Sequence, residues 1–272
     1  MLTEATSSEL IFAIERNVES AFCTLARSAP NAELVDTPSI CRYAMDIKHP
    51  MANIVVRSEL SDLQSEKVVV DTLNEYKDRG RPMMWFVGPS TTPSNLGDLI
   101  LEKGGTKLFE TPGMVADLTQ LGDQSDAPEG IRLAKVEDAE TLEDWLQTVQ
   151  ASFRLPREVA GLFGNFRPDA ESPFPCYIAY LDNNPVAVSA LHVSHGVAGI
   201  YCVGTTSEAR GKGIGSAITR MPMLEAKALG YQYAILQSSE AGFNVYQRLG
   251  FREYCRFQRY GYNLEATETS KS

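Results

Sequence analysis

A chain of 272 residues with 43% hydrophobic and 22% charged side chains is long for one ordinary domain and apolar enough to bury full cores, so two domains of typical size are expected. Its formal net charge of −10 argues against a nucleic-acid surface. No apolar run approaches membrane-spanning length, and the polar, acidic N-terminus MLTEATSSEL is neither a secretory nor a transit peptide, which points to a cytoplasmic protein that does not engage a membrane.

In chain order, the first half alternates strand and helix signals. Residues 53–57 read as a strand, 63–79 as a helix, 83–87 as a strand ending at Gly88-Pro89, 96–103 as a helix stopped by Gly104-Gly105, and 111–118 as a last strand. The stretch 119–130 has little periodicity and is rich in Gly, Asp, Ser and Pro, which marks it as a linker. After it, 131–133 is a strand and 136–153 a helix with Ala139, Leu142, Trp145, Leu146 and Val149 on one side. Residues 176–181, 182–185 and 186–193 read as strand, turn, strand, and Ser194-His195-Gly196 turns into a third strand, 197–203. The five cysteines, 23, 41, 176, 202 and 255, are odd in number and never spaced as metal ligands, so reduced thiols and no metal are expected.

The next segment carries most of the chemistry. Arg210-Gly211-Lys212-Gly213-Ile214-Gly215 stands between that β-rich region and a periodic helix, 213–229, in which Ile214, Ala217, Ile218, Met221, Leu224 and Ala228 recur at helical spacing before Gly230. A glycine loop at a helix N-terminus points backbone N–H groups at one spot, where a pyrophosphate can sit. Pro222 inside the helix predicts a bend. A dinucleotide site would want a third glycine where Ser216 stands and an acid after the next strand, which ends in Gln237; a P-loop would want Gly-Lys-Ser/Thr, which does not occur. Downstream, 233–236 is a short apolar strand and Tyr246 to Phe251 reads Y-x-x-x-G-F.

The R-x-x-G-x-G loop, the strands before it and the closing Y-x-x-x-G-F together resemble the GNAT family of N-acetyltransferases over roughly residues 130–260, about half the chain. The resemblance implies an α/β fold (α+β, mixed sheet) and an acyl-CoA-dependent N-acyltransferase using acetyl-CoA. Residues 131–272 would be the catalytic domain. Residues 1–118, with the same strand–helix order but Ser58 to Glu66 in place of a glycine loop, would be a degenerate GNAT-like domain in tandem with it. The alternatives are an unrelated α/β domain for 1–118 and, for the whole, an acyl-CoA-binding sensor or interaction module without catalysis.

By position in that family's fold, Val203 and Thr205 contact the pantetheine, Gly204 fits a bulge, and Arg210, Gly211, Lys212, Gly213, Ile214, Gly215 and Ser216 hold the pyrophosphate. Ser239 stands where many relatives carry a pantetheine-binding asparagine, and Tyr246 matches the tyrosine that assists thiolate departure in many members, with packing before Gly250-Phe251 as its other reading. Many members place a glutamate base on the strand before the loop, yet 197–205 contains no acid; Glu240, His192 or a water relay could substitute, and ordinary surface or strand roles for both residues stay open. Anionic CoA on an acidic protein needs a basic mouth, for which Arg210, Lys212, Arg220, Lys227 and Arg248 are the candidates, with solvated helix charges as the other reading. The acceptor is a small-molecule or peptide amine; Phe153, Arg154, Phe163, Asn165, Phe166 and Arg167 in 151–173 either line its pocket or form a packed loop.

Overall fold

Apolar alternation sets the strands of this chain, and amphipathic helices cover them. The computed structural model describes residues 1–122, 127–166, 168, 169 and 171–264. Packing gathers the chain into two compact units, residues 1–17 with 113–254 and residues 18–112 with 255–272. Compactness therefore does not follow a cut at 119–130: residues 113–117 pack into the unit that holds most of the second half, and residues 255–262 into the unit that holds most of the first. Residues 123–126 of that linker and Arg167 lie outside the described residues.

In the first unit, β5 (Thr106–Asp117) supplies residues 113–117, antiparallel to β10 (Tyr233–Gln237). β10 runs parallel to β9 (Val197–Thr205), and antiparallel pairing continues through β8 (Asn184–Ser194) and β7 (Cys176–Leu181) to β6 (Ile131–Lys135). β7 shows how the pattern builds two layers: Tyr177 and Ala179 join the core containing Ile214, Ile218 and Met223 of α6 (Ile214–Ala228), while Ile178 and Tyr180 join Trp145 and Val149 of α4 (Ala139–Phe153). α4 starts three residues later than periodicity suggests because Asp138 caps it, accepting from the Thr141 N–H at 2.8 Å, while the Val136 N–H bonds the Cys176 carbonyl.

Pro222 is buried and α6 runs through it unbroken. A proline removes the N–H that would serve the carbonyl four residues back. That carbonyl, of Ile218, accepts instead from the hydroxyl of Ser189 on β8 at 2.8 Å, and Ser189 is fully buried. A strand side chain thus supplies the hydrogen bond that the helix lacks.

The second unit holds β1 (Glu33–Asp36), β2 (Ile40–Ala44), β3 (Asn53–Ser58), α2 (Asp62–Asp78), β4 (Met83–Val87), α3 (Leu96–Glu102) and most of β11 (Arg252–Tyr262). β3 and β4 are parallel; β1–β2, β2–β3 and β4–β11 are antiparallel. Trp85 at its centre is fully buried and donates its ring N–H to Ser58 at 2.9 Å. α1 (Ser7–Ser28) begins in the first unit and ends in the second. The sequence reading contains neither α1, β1 nor β2, although the buried Leu10, Ile14, Val18, Ala21 and Leu25 recur at helical spacing.

Candidate active site

β9 and β10 are parallel, so the segments that follow them leave the sheet at one end, where ligands bind in open α/β sheets. Their pairing is short, Ala198↔Ala234 and Gly199↔Ile235. From Ile200 onward β9 continues against β8, and its other edge has no strand partner among the described residues. That edge presents backbone N–H and C=O groups for an extended ligand.

The splayed part of β9 carries a bulge. Val188 faces Gly204 while Ala190 faces Tyr201, so β9 has one extra residue there, and Cys202 takes a left-handed φ of 52°. The bulge is therefore at Cys202-Val203; the sequence expectation had it at Gly204. Gly204 is regularly paired, and glycine is needed for another reason: a Cβ would stand 2.7 Å from Cβ of Ser152 and 2.8 Å from the Phe153 ring, at the last turn of α4. Ser152, which the sequence reading passed over, has its hydroxyl buried with no hydrogen-bond partner among the described residues.

After Thr205 a short turn, Ser207–Ala209, leads into the glycine loop. Gly211 and Gly213 both have positive φ, 77° and 78°, which side-chain-bearing residues rarely adopt. A Cβ on Gly211 would meet nothing within 4 Å, and one on Gly213 only Pro128 at 3.5 Å, so the loop opens to solvent. Gly213 caps α6, and its carbonyl accepts from the amides of Ser216 and Ala217. The amides of Ile214 and Gly215 belong to the first turn, where a helix has no acceptor to offer. Exposed glycine backbone at the positive end of a fifteen-residue helix fits the diphosphate of a CoA thioester.

The basic candidates separate in space. Arg210 and Lys212 are exposed beside the loop, and Arg210 donates to the Thr205 carbonyl at 3.1 Å, tying the loop to the end of β9. Arg220 and Lys227 donate to the carbonyls of Gly122 and Leu121. Arg248, with Asp117, Arg220 and Arg252, lines a cavity of about 680 Å³.

Ser239, Glu240 and Tyr246 belong to α7 (Glu240–Arg248) and its cap. Ser239 Oγ accepts the Gly242 N–H at 3.2 Å, which leaves its hydroxyl proton for a second partner. Glu240 is exposed in the first turn, where a carboxylate suits the helix dipole. Tyr246 is 8% exposed, its ring 6.0 Å from that of Phe251, and burial pushes the phenol up to about 12. Its hydroxyl has no partner among the described residues.

His192 lies elsewhere on the sheet, opposite Gly199 where β9 is still paired with β10. Its Nδ1 is 3.0 Å from the Pro173 carbonyl, its ring stacks on Phe174 at 4.7 Å, and burial holds it below the ordinary histidine range. The neighbouring Tyr201 hydroxyl donates to Asn17 at 2.7 Å. The 151–173 stretch divides as well. Phe163 and Phe166 form an aromatic cluster with Trp145 and Phe174, Arg154 is the left-handed C-cap of α4, Asn165 is exposed, and Phe153, 44% exposed, stands against Gly204.

Residues 172–253 match the family model of an acetyltransferase (GNAT) domain. Solved structures share the fold over nearly the whole chain. A GCN5-related N-acetyltransferase from Kribbella flavida is 18% identical with a TM-score of 0.68, covering 93% of this chain and 97% of its own. One from Sphaerobacter thermophilus is 16% identical with a TM-score of 0.63, covering 96% of each. A tandem GNAT protein from the clavulanic acid biosynthesis pathway is 13% identical with a TM-score of 0.60, covering 93% and 94%. No curated protein sequence matches the chain. Residues 172–253 are thus similar to a GNAT acetyltransferase domain, within a fold of mixed sheets and helices that the chain shares with these proteins. Among the described residues no helix is long and apolar enough to cross a membrane.

Proposed function

We propose that this protein is an acyl-CoA-dependent N-acyltransferase that moves an acetyl group from acetyl-CoA to an amine, with one active site per chain. The observation that carries this reading is the opening between β9 and β10, whose far edge leads straight into a glycine loop with two left-handed residues at the start of α6. Gly211 to Ser216 would hold the diphosphate through backbone amides, with Arg210 and Lys212 adding positive charge against the protein's net −10. The exposed edge around Val203 and Thr205 would pair with the amide-bearing arm. Acetyl-CoA supplies the activated acyl group.

The chain's own residues then face two proton problems. An amine of pKa near 10.4 must lose a proton before it can attack, and β9 offers no carboxylate. Ser152 is a polar group beside Gly204 able to orient the amine or a relay water. Glu240 is solvated and His192 is turned to the Pro173 carbonyl, so neither geometry favours a base. On the leaving side, Tyr246 would donate to the departing sulfur. With its phenol near 12 it stays protonated throughout the working range, acting as a hydrogen-bond donor more than as an acid.

The test is release of free CoA, followed with a thiol reagent, when acetyl-CoA and the protein are offered a panel of amines including small molecules and peptides. Turnover with any amine supports the enzyme. Tight acetyl-CoA binding with no turnover across the panel would favour the second reading, an acyl-CoA-binding module, which the missing acid on β9 supports.

A further inference from the structure

The sulfurs of Cys23 and Cys41 lie 3.1 Å apart in the second unit, where Cys23 is 4% exposed and Cys41 is fully buried. Cys23 is on the last turns of α1 and Cys41 is the second residue of β2, opposite Asp36 of β1. The carboxylate of Asp36 completes a group of three possible ligand atoms within 4.8 Å of one another, so metal binding and covalent pairing are the two chemistries to weigh.

Geometry separates them. Two thiolates on one zinc ion, each at about 2.3 Å and at a tetrahedral angle, stand about 3.8 Å apart, well beyond the observed spacing. Asp36 is also engaged, by Arg57 at 3.0 Å and Arg27 at 3.3 Å. A disulfide instead requires a further approach to about 2.05 Å between sulfurs already in contact. We propose that Cys23 and Cys41 are a covalent modification site that closes to an intramolecular disulfide on exposure to peroxide, stapling α1 to β2.

Cys23 is the sulfur that reacts first. Either S–H can donate across the 3.1 Å contact; with Cys41 as the donor, the bond lowers the Cys23 thiol and raises that of Cys41. The Cys23 thiol gives up its proton, its thiolate attacks one oxygen of hydrogen peroxide, the O–O bond breaks, and the leaving hydroxide takes that proton, so a sulfenic acid forms with release of water. The Cys41 sulfur then attacks the Cys23 sulfur; the S–S bond forms, the S–O bond breaks, and the hydroxyl leaves as a second water with the Cys41 proton. Two thiols and one peroxide thus give one disulfide and two waters.

The experiment uses the full chain, treated with hydrogen peroxide, unfolded in denaturant, alkylated with iodoacetamide and read by peptide mass spectrometry. The expected result is labelling at Cys176, Cys202 and Cys255, with the peptides of Cys23 and Cys41 recovered as one linked species that separates on reduction. Cys41→Ser should leave Cys23 to advance to the sulfinic acid, whereas Cys23→Ser should leave Cys41 unmodified. Peroxide should raise the thermal midpoint of the wild type by about 5–10 °C, the scale for closing a loop of this size. Labelling of both Cys23 and Cys41 after peroxide, a sulfinic acid at Cys23 in the wild type with Cys41 alkylated, or stoichiometric zinc that shields both thiols would each overturn the proposal. The wild-type linkage decides the question even if a serine variant does not fold.

Discussion

Two strand–helix–strand crossovers in this chain share a plan and differ where a ligand would enter. In β9–α6–β10 the parallel strands pair at two positions and then part, with a glycine loop opening to solvent at the head of the helix. In β3–α2–β4 the parallel pairing is also two residues long, Ile54↔Met84 and Val55↔Trp85, but the space after it is used. The Leu60 N–H bonds the Thr92 carbonyl at 3.0 Å, the Thr92 N–H bonds the Ser58 carbonyl at 3.1 Å, and Glu59 bridges to Thr92. Backbone that could grip an extended ligand is satisfied by the chain itself. Glu59 precedes α2, and Asp62 and Glu66 fall within its first five residues, where no glycine stands. A shared topology is thus compatible with a cradle in one place and a closed, acidic turn in the other, and the proposal of a single site follows from that contrast.

The comparison breaks most sharply at Gly213. Replacing it with valine forces a β-branched residue into φ 78° and puts a side chain in the opening, so acetyl-CoA affinity should fall on the order of a hundred-fold or more. Calorimetry should give one site per chain for the wild type and none for Gly213→Val, with circular dichroism unchanged. Residual binding at full strength would place the site elsewhere, and a wild-type stoichiometry of two would refute the closed state of the β3–α2–β4 crossover.

Tyr246→Phe keeps the ring against Phe251 and removes the hydroxyl. With its phenol near 12 a tyrosine is a poor match for a departing thiol, so kcat should drop about 10-fold and no more than 100-fold while acetyl-CoA affinity holds. Single-turnover kinetics with an accepted amine reads this directly; an unchanged chemical step means the ring only packs.

The two crossover helices also differ in Pro222, since α2 contains no proline. Ser189→Ala strips the Ile218 carbonyl of its buried donor and should cost about 1–3 kcal/mol in denaturant unfolding. Pro222→Ala restores an N–H able to reach that carbonyl, so the double variant should lose less than the sum of the singles. Additive losses would mean that the Ser189 bond is not tied to the proline.

The smallest effect concerns His192. Its folded-state pKa is depressed by burial, with His195 adding repulsion, so the unfolded chain takes up its proton first as pH falls. Its contribution to stability is present above about 6.5 and is lost as pH drops toward the folded value. His192→Gln should flatten that acid-side slope without abolishing acyl transfer. Loss of turnover at unchanged stability would instead make His192 a catalytic base.

Local chemistry made the cradle readable from residues alone. The glycines of 211–215, the helix behind them and the short strand after it are neighbours in sequence, and their spacing pointed to an open glycine turn at a helix N-terminus before any packing was known. The linear order of residues could not determine that the end of β5 and most of β11 pack into units formed mainly by the other half, because strand partners are chosen by edge availability across the chain. Nor could it show that Gly204 makes room for Ser152 and Phe153 while Cys202 carries the bulge, that Arg220 and Lys227 serve carbonyls, or that Ser189 completes a helix interrupted by proline. Those outcomes depend on which atoms meet after folding, and only the tertiary structure decided them, since a buried polar group or crowded glycine acquires its role from neighbours far away in the chain.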